Sequence, residues 1–408
     1  MANTLKFGNG EWYGKKDTIL AYNDENSNYK PLPFDFSRAS KATVVNKDGL
    51  IEEVGSGQPR IDYKDDSKGA LLLEPQRTNI VEYSEDGTQW GTINSTVSLT
   101  TDSTSPSSQS SVYKVNDDAV DAQHRVDVKP AVTSGTEYTF SVFVKKPSDS
   151  DVDFVYLLFS SNFSTTRLYF NIEEGTSLDS GGIIENYGNG WYKISGTATA
   201  NSSGNGVFGV NLTNADNNNT YSGTGNGSMY VWGIQVESNA SYPTSYIPTS
   251  GSAVTRIADA CNNGANEQVI GQTEGVAYVE IDWKGNDEES IFSVLHDGTV
   301  NNRMDFGYSA AFNSFYFNVR TNGSSQGLMQ YSSPIAGKYK IAIAYKNNGF
   351  ALWVNGVKEA SDGSGSVPIT TKYNVGNYIG GGREYPIISS KLYNTKLTDQ
   401  ELQALTQV

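Results

Sequence analysis

The chain has 408 residues, a formal charge of -15 and a sequence pI near 4.6. A chain of this length accommodates two or three cores at the usual ~100 to 200 residues per domain. Its 25 Tyr, 16 Phe and 6 Trp supply large side chains for burial, and its 41 Gly supply turns, which is typical of a β-rich protein rather than a disordered or membranous one. The excess of acidic over basic residues argues against nucleic acid as a binding partner, because phosphate backbones are bound by clustered cations.

Neither disulfides nor a targeting segment are predicted. The single Cys261 cannot form an intrachain disulfide, so stability must come from cores or oligomerisation. The opening residues "MANTLKFGNGEWYGKK" lack the apolar core of a signal peptide, and no apolar run approaches the ~20 residues needed to span a bilayer. We therefore expect a chain made in the cytoplasm, without membrane insertion.

Residues 1–75 mix short strand-like pieces with polar turns and show no sustained periodicity. Such a segment cannot bury much by itself. Two alternatives remain open: an irregular arm that packs on its own body, or a docking region that a partner or sister subunits order. In the second case closed symmetry would bury the apolar residues of the arm, which are Phe7, Trp12, Leu20, Leu32 and Phe34.

Residues 76–257 show the period-2 pattern of strands. In "YTFSVFVK", Tyr138, Phe140 and Val142 share one face, while Thr139 and Ser141 share the other. Gly- and Asn-rich stretches between such runs predict loops. The expected architecture is an antiparallel sandwich of the jelly-roll type.

Residues 262–408 predict a second sandwich. The stretch "KYKIAIAYKNNGFALWVNGVKEA" has two Asn-Gly turn signals between strand-like runs, and Asn-Gly supplies the positive φ angles of tight hairpins. Thr398 and Glu401 have the spacing of a capping box, which predicts a short closing helix. The chain as a whole is therefore predicted to be all-β, with an irregular N-terminal arm followed by two antiparallel β-sandwiches.

Arginines near carboxylates surround the stretch "LLLEPQR". The arginines are Arg38, Arg60 and Arg77, and the carboxylates are Asp35, Asp62 and Glu74. Guanidinium groups suit fixed, bidentate pairing where a segment crosses a domain surface. We interpret residues 36–80 as a clamp that ties the arm to the first sandwich, with an Arg77–Glu74 pair. The alternative is a set of surface ion pairs of little consequence.

No sequence pattern specifies catalysis. His124 and His296 are the only histidines, and neither lies near a nucleophile signature. In "EIDW", Glu280 and Asp282 point to one face of a strand, where paired carboxylates could flank a glycosidic bond. Lys284 follows where a further acid would be needed, so we predict no enzyme.

No metal or cofactor is predicted, although calcium stays open. Asp24, Asn26 and Asn28 alternate like calcium ligands, but Tyr29 replaces the turn glycine. Asp297 is a candidate calcium ligand at a loop rim.

Several stretches resemble structural proteins of tailed bacteriophages. They are "LKFGNGEWYGKKDTILAYNDENSNYKPLPF", "FSRASKATVVNKDGLIEEVGSGQPRIDY", "LLLEPQRTNIVEYSEDGTQW", "NGWYKISGTATA" and "YVWGIQVESNASYPTSYIPTSGSAVTRIAD". The stretch "ALWVNGVKEA" and the one from "YIGGGREYPIISS" to "LTDQELQAL" are similar to concanavalin A-like, laminin-G-like domains. The resemblance implies a head fibre, tail fibre or decoration protein on the virion, a homotrimer, and capsid or tail proteins as partners. It also implies that residues 1–75 attach the protein, so that deleting residues 1–36 would leave folded sandwiches that no longer join the particle.

Binding of host-surface glycans is the predicted chemistry. Sugar rings stack on aromatic faces while amide, carboxylate and guanidinium groups bind their hydroxyls. Two loops of the second sandwich combine such groups: Asp297, Asn301, Arg303, Tyr373, Asn374 and Arg383. The alternatives are a glycan depolymerase and a capsid-cementing protein that binds no sugar.

Overall fold

The computed structural model describes residues 3–22, 32–108, 111–285, 289–376 and 386–408. Within these ranges the chain consists of β-strands joined by turns, with antiparallel pairing throughout the sheets and one α-helix near the end. The predicted all-β class with antiparallel sandwiches is confirmed. No helix in these ranges is long and apolar enough to cross a bilayer.

The strands are numbered in chain order. The first are β1 Leu5–Gly8, β2 Gly14–Lys15, β3 Thr18–Ala21, β4 Leu32–Ser37, β5 Ala42–Val45, β6 Ile51–Val54, β7 Ile61–Asp62, β8 Ala70–Leu71 and β9 Arg77–Asn79. The next are β10 Gly91–Ile93, β11 Ser95–Thr100, β12 Val112–Asp117, β13 Asp121–Ala122, β14 His124–Val128, β15 Ala131–Val132, β16 Glu137–Lys145, β17 Phe154–Ser160, β18 Thr166–Asn171, β19 Thr176–Ser177, β20 Ile183–Asn186, β21 Tyr192–Thr199, β22 Gly204–Asn205, β23 Val207–Thr213, β24 Tyr221–Ser222, β25 Ser228–Ser238 and β26 Val254–Arg256. The last are β27 Ala260–Gly264, β28 Glu274–Trp283, β29 Ser290–His296, β30 Arg303–Ser309, β31 Ser314–Thr321, β32 Ser324–Ser332, β33 Gly337–Lys346, β34 Phe350–Val354, β35 Val357–Asp362, β36 Lys372–Val375 and β37 Ile387–Tyr393, followed by the helix α1 Asp399–Thr406.

The chain divides into two compact units. Unit 1 comprises Met1–Lys47, Val54–Pro75 and Ile257–Val408, and unit 2 comprises Asp48–Glu53 and Gln76–Arg256. This division differs from the three predicted segments 1–75, 76–257 and 262–408, because most of the first segment belongs to the same unit as the last. Unit 2 is therefore inserted into the sequence of unit 1.

Unit 1 is a sandwich of two antiparallel sheets. Sheet A has the order β35-β34-β33-β28-β37-β8-β7, with β1 also beside β37, and sheet B has the order β2-β3-β4-β27-β36-β29-β30-β31-β32. Alternate residues of each strand face the shared core, as the period of a pleated strand requires. On β31, for example, Phe315, Phe317 and Val319 are fully buried in that core.

The N-terminal residues complete this sandwich instead of forming a free arm. Leu5 of β1 lies opposite Leu392 of β37, and β4 pairs with β27. Phe7 and Phe34 belong to the core and meet edge to face at 5.4 Å. Sequence periodicity missed these strands because their partners are more than 200 residues away along the chain.

The remaining apolar residues of the predicted arm are also covered in part by their own chain. Trp12 and Leu32 pack against the core of unit 1, and Leu20 is half-buried. Trp12 Nε1 donates to the carbonyl of Lys68 at 2.9 Å. Deleting residues 1–36 would therefore remove core side chains and strands of both sheets, so that truncation is expected to unfold unit 1 and is no test of attachment.

Unit 2 is the second sandwich. Sheet C has the order β10-β14-β23-β17-β18-β19, and sheet D has the order β11-β12-β25-β16-β21-β20, with β9 beside β25 and β26. A core of aliphatic and aromatic side chains lies between them. The two ends of the insertion meet in the β9–β26 ladder, where Arg77 lies opposite Arg256, so unit 2 closes on itself.

The closing helix begins as the sequence predicts. The Thr398 hydroxyl accepts from the Glu401 N–H, and the Glu401 carboxylate accepts from the Thr398 N–H at 2.8 Å. The predicted capping box is thereby confirmed. Leu402 packs with Tyr278 and Trp353 on the outer face of sheet A, so this face of unit 1 is covered.

A buried ionic cluster lies where the chain leaves unit 1 and returns to it. Asp259, fully buried, accepts from Arg38 Nη1 at 2.9 Å and from Arg60 Nη2. Arg60 Nη1 also donates to Glu74 Oε2 at 2.7 Å, and the Glu74 N–H donates to Asp259 Oδ2 at 3.1 Å. Two cations and two anions therefore balance in a buried site.

The ionic cluster differs from the predicted clamp between the arm and the first sandwich, because all four of its residues belong to unit 1. Glu74 pairs with Arg60, and the second carboxylate, Asp259, comes from the C-terminal part of unit 1. The Arg77 guanidinium lies 5.4 Å from the centre of the Tyr242 ring, and the Arg77–Glu74 pair stays a prediction. Sequence proximity selected Arg77, whereas the folded chain brings Asp259 to the cluster from nearly 200 residues away.

We expect Arg60→Met to lower the free energy of unfolding of unit 1 by about 3 to 5 kcal/mol, because it leaves buried carboxylates without their cation. Urea denaturation with resolved transitions for the two units measures this loss. Lys338→Met is the control, since the exposed pair of Lys338 with Asp66 at 2.7 Å should contribute less than about 1 kcal/mol. Equal effects of the two substitutions would contradict the assigned role.

Candidate functional site

The outer face of sheet B carries a row of polar side chains. On β31, Tyr316, Asn318 and Arg320 alternate with the core residues and are half-buried. On the adjacent strand β30, Arg303 and Asp305 face the same side, with Asp305 directly opposite Asn318. We call these five residues the polar face.

A buried ion pair fixes the geometry of the polar face. Arg303 Nε donates to Asp305 Oδ1 at 2.6 Å, and Asn318 Nδ2 donates to the same oxygen at 3.0 Å. Arg303 also donates to the carbonyl of Val300. Because Arg303 and Asp305 are buried, they serve as a floor that orients the half-exposed side chains above them.

Burial raises the pKa of the Asp305 carboxyl above its ordinary value, although Arg303, Asn318 and Tyr316 all act in the opposite direction. Each of these three partners stabilises the carboxylate by charge or by hydrogen bonding. The Tyr316 hydroxyl is therefore hydrogen-bonded to Asp305, and this bond restrains the Tyr316 ring at the surface of the sheet.

The structure places two of the predicted ligand-binding residues on this side of sheet B. Arg303 belongs to the polar face, and Asn374 of β36 lies two strands away, since Asn374 and Asp305 are both opposite Val294 of β29. Tyr373 points into the core instead, where its hydroxyl lies 2.9 Å from Ser390 Oγ. Successive residues of β36 point to opposite faces of sheet B. Tyr373 and Asn374, which were predicted to share one binding loop, therefore lie on opposite sides of the sheet.

Two further predicted residues lie in the β29–β30 turn. The Asp297 carboxylate accepts from the N–H and hydroxyl of Thr299 and from Asn302 Nδ2, at 2.7 to 2.8 Å. The Asn301 N–H donates to the Thr299 hydroxyl at 3.2 Å. The Asp297 carboxylate thus stabilises the turn in which it lies. Arg383 lies outside the described residues.

The metal ligands considered from the sequence are not brought together. No group of three or more His, Cys, Asp or Glu side chains in the described ranges is placed to hold a metal ion. Asp24, Asn26 and Asn28 lie outside those ranges. Calcium binding, which the sequence left open, therefore has no geometric counterpart in the described ranges.

Both members of the acid pair considered for catalysis interact with neighbouring side chains. Glu280 and Asp282 do share one face of β28, as predicted from the spacing. The Glu280 carboxylate accepts from the Tyr278 hydroxyl at 3.2 Å, and Asp282 forms an ion pair with Lys284 at 2.8 Å. Lys284, which stands in the sequence where a further acid would be needed, is thus the partner of Asp282.

Sequence reasoning missed Tyr316, Asn318 and Arg320, although the signal was present. In the stretch "FYFNVR" apolar and polar residues alternate from Phe315 to Arg320, which indicates one buried and one exposed face. The exposed set combines an aromatic ring, an amide and a guanidinium. The predicted site residues were all taken from loops, so a mixed polar set on the outer face of a strand was not among them.

Comparison with known proteins gives only distant similarities. No family model matches the chain, and no curated protein matches it. A native heptameric SAP-like pentraxin from Limulus polyphemus is 12% identical over 35% of this chain and 72% of that chain, with a TM-score of 0.27. Domains LG4-5 of the mouse laminin alpha1 chain are 10% identical over 67% and 86%, with a TM-score of 0.23.

A putative carbohydrate binding protein from Bacteroides ovatus is 14% identical over 70% of this chain and 80% of that chain, with a TM-score of 0.26. At such TM-scores the likenesses carry no argument about fold or function. The fold assignment therefore depends on the sheets and cores of the chain itself, and the resemblance to phage fibre proteins stays a prediction.

His296 makes the stability of unit 1 sensitive to acid. Burial lowers the pKa of this imidazole, and nearby Lys372 lowers it further, while Asn374 and the charge of Asp297 oppose the shift. Because the folded pKa is the lower one, the unfolded chain binds the proton first as the pH falls below about 6.5. Acidification through that window therefore favours unfolding.

We expect His296→Gln to remove this part of the pH dependence. The wild type should lose stability relative to the variant as the pH falls below about 6.5, whereas above that value their difference should stay constant. Urea denaturation at a series of pH values measures both. A difference that does not change with pH would contradict the assigned protonation behaviour.

Proposed function

We propose that the chain is a saccharide-binding protein and that the polar face of sheet B holds the ligand. The observation that carries the proposal is the combination of Tyr316, Asn318 and Arg320, all half-exposed, on one strand above a fixed Arg303–Asp305 pair. Exposed aromatic and polar groups on a rigid sheet match a ligand that has both apolar ring faces and hydroxyls.

Each side chain of the row has a distinct role in this proposal. The restrained ring of Tyr316 stacks on the apolar face of a sugar. Asn318 gives one N–H to Asp305 and turns the rest of its amide to a ligand hydroxyl. Arg320 supplies N–H donors, since its buried Nε has no hydrogen-bond partner among the described residues.

Acidic saccharides fit this face better than neutral ones. Arg303 is neutralised by Asp305 at 2.6 Å, whereas no ion pair involves Arg320 in the described part of the chain. A guanidinium without a carboxylate partner is suited to a sugar carboxylate or sulfate, which it can bind through two N–H groups.

We expect Tyr316→Ala to weaken saccharide binding about 10-fold, because ring stacking of this kind contributes roughly 1 kcal/mol or more beyond buried area. Glycan arrays of neutral and acidic oligosaccharides identify the ligand, and titration calorimetry measures its affinity. Arg320→Met should weaken the binding of acidic saccharides and leave the binding of neutral saccharides unchanged.

Tyr13→Ala is the matched control, because Tyr13 is 49% exposed and lies away from β31. If Tyr316→Ala and Arg320→Met reduce saccharide binding no more than Tyr13→Ala does, the polar face is excluded as the binding site. Release of new reducing ends from the bound glycan would instead favour a depolymerase.

For the biological setting we propose a trimeric fibre or decoration protein of a bacteriophage virion that holds particles near host-surface glycans. The support is the sequence resemblance of the stretches 5–34, 36–63, 71–90, 189–200 and 230–259. Many copies on one particle would convert weak single sites into useful avidity. A capsid-cementing protein without sugar binding is the alternative, and the array experiment separates the two.

We expect purified particles of the encoding phage to bind an antibody raised against the chain, with label on projections seen by electron microscopy. The purified protein should sediment at about three times the chain mass of 44.3 kDa. Particles that carry no label would leave a free lectin as the better description, and a monomer at working concentration would contradict the trimer.

A further inference from the structure

Leu328 is an exposed apolar residue beside the polar face. It lies on β32, the edge strand of sheet B, directly opposite Asn318. Leu328 is 50% exposed, whereas its neighbours along the strand, Gly327 and Met329, are buried. Because alternate residues of a strand share a side, Leu328 lies on the same outer side of sheet B as Asn318.

Leu328 completes a cross-strand row with two members of the polar face. Asp305, Asn318 and Leu328 lie on the successive strands β30, β31 and β32, each opposite the next. The Cβ atoms of residues that face each other in this way are about 4.5 to 5.5 Å apart. Tyr316 is diagonal to Leu328, at about 7 to 8 Å, which is within reach of an aromatic side chain. An apolar side chain thus borders both the ring and the amide of the polar face.

Asp305 orients the Asn318 amide. Asn318 Nδ2 donates to Asp305 Oδ1 at 3.0 Å. This assignment of the amide follows from chemistry, because an ionised carboxylate, here paired with Arg303, accepts hydrogen bonds and donates none. Asp305 and Leu328 lie on opposite sides of Asn318 in the row, so Asn318 Oδ1 turns away from β30 and towards β32.

Asn318 Oδ1 is open to a ligand. It accepts no hydrogen bond from any group in the described ranges, and it is not among the buried polar atoms that lack a partner there. Asn318 as a whole is half-buried, so solvent reaches this oxygen. A hydrogen-bond acceptor and an apolar surface therefore lie side by side on the outer face of sheet B.

An acetamido group matches this pair of features. Its N–H can donate to Asn318 Oδ1 while its methyl group covers Leu328. Because a secondary amide is trans, its N–H and its methyl group lie on one side and its carbonyl oxygen lies on the other. A hydroxyl group would satisfy the acceptor but would leave the leucine exposed to water.

We propose that the saccharide held by the polar face carries an N-acetyl group, whose N–H donates to Asn318 Oδ1 and whose methyl group packs on Leu328. This inference rests on the proposed function of the polar face and narrows its ligand to N-acetylated saccharides. Leu328 is then a specificity-determining residue, while Arg320 keeps its role towards an acidic group of the same ligand.

Two pairs of sugars, each matched except for the acetamido group, test the inference by titration calorimetry on the full chain. The acidic pair is cellobiuronic acid, in which glucuronic acid is linked to glucose, and the same disaccharide with N-acetylglucosamine in place of glucose. The neutral pair is cellotriose and triacetylchitotriose. In at least one pair the N-acetylated member should bind about 10-fold more tightly, because a covered methyl group and a further hydrogen bond both strengthen binding.

Leu328→Ser should reduce this preference to about threefold or less, because the methyl group then loses its apolar contact. Leu328→Met, which keeps an apolar side chain, should retain the preference. Leu99→Ser is the matched control, because Leu99 is 62% exposed on an edge strand of unit 2. Saturation-transfer NMR gives a second readout: the N-acetyl methyl protons should receive more saturation than the sugar-ring protons with the wild type, and should lose that excess with Leu328→Ser.

The inference is overturned if neither N-acetylated sugar binds more tightly than its hydroxyl counterpart, or if Leu328→Ser leaves the same preference as Leu99→Ser. The proposed function survives that result where Tyr316→Ala weakens both members of a pair equally, since the polar face then binds saccharides with another specificity. A preference for the N-acetylated sugar that Tyr316→Ala and Leu328→Ser both leave unchanged would place the ligand elsewhere and contradict both proposals.

Discussion

The ionic cluster around Asp259 is the constraint on which unit 1 depends. The two carboxylates come from the residues that flank the inserted unit, because Glu74 precedes it and Asp259 follows it. From the N-terminal part of the chain, Arg38 donates to Asp259, and Arg60 donates to both Asp259 and Glu74. Removing one member would leave a buried charge without a partner, so the four groups stabilise the fold as a set. The cluster therefore fixes the two points where the chain leaves the sandwich and returns to it.

The strand period explains both the core and the candidate site in unit 1. One side of β31 buries Phe315, Phe317 and Val319, and the other side presents Tyr316 and Asn318. A slip of one residue in the pairing with β30 would exchange these two sets. The packed core thus holds the binding groups in register, which is why a sheet face is a more rigid site than a loop.

Local patterns allowed the fold class to be predicted, but long-range pairings could not be. The period of "YTFSVFVK" and the capping box at Thr398 are properties of short stretches, and both appear in the structure as expected. The pairing of β1 with β37 and of Arg60 with Asp259 depends on chain segments that are far apart, and a single sequence shows no sign of either. The site was predicted only in part for the same reason, because Arg303 and Asn374 were chosen as loop residues without knowledge of the strands beside them.

The nesting of one unit within the sequence of the other also dictates an order of synthesis. All of unit 2 leaves the ribosome before β27 to β37 exist, so it can fold while sheet A still lacks most of its strands. During that interval β1 lacks its partner β37 and β4 lacks β27, since Leu5 must wait for Leu392. The strand edges and the phenyl rings of Phe7 and Phe34 that those partners cover are then still exposed, and exposed edges and apolar rings favour aggregation. Completion of unit 1 closes a loop of nearly the whole polypeptide, and such long-range closure favours slow folding.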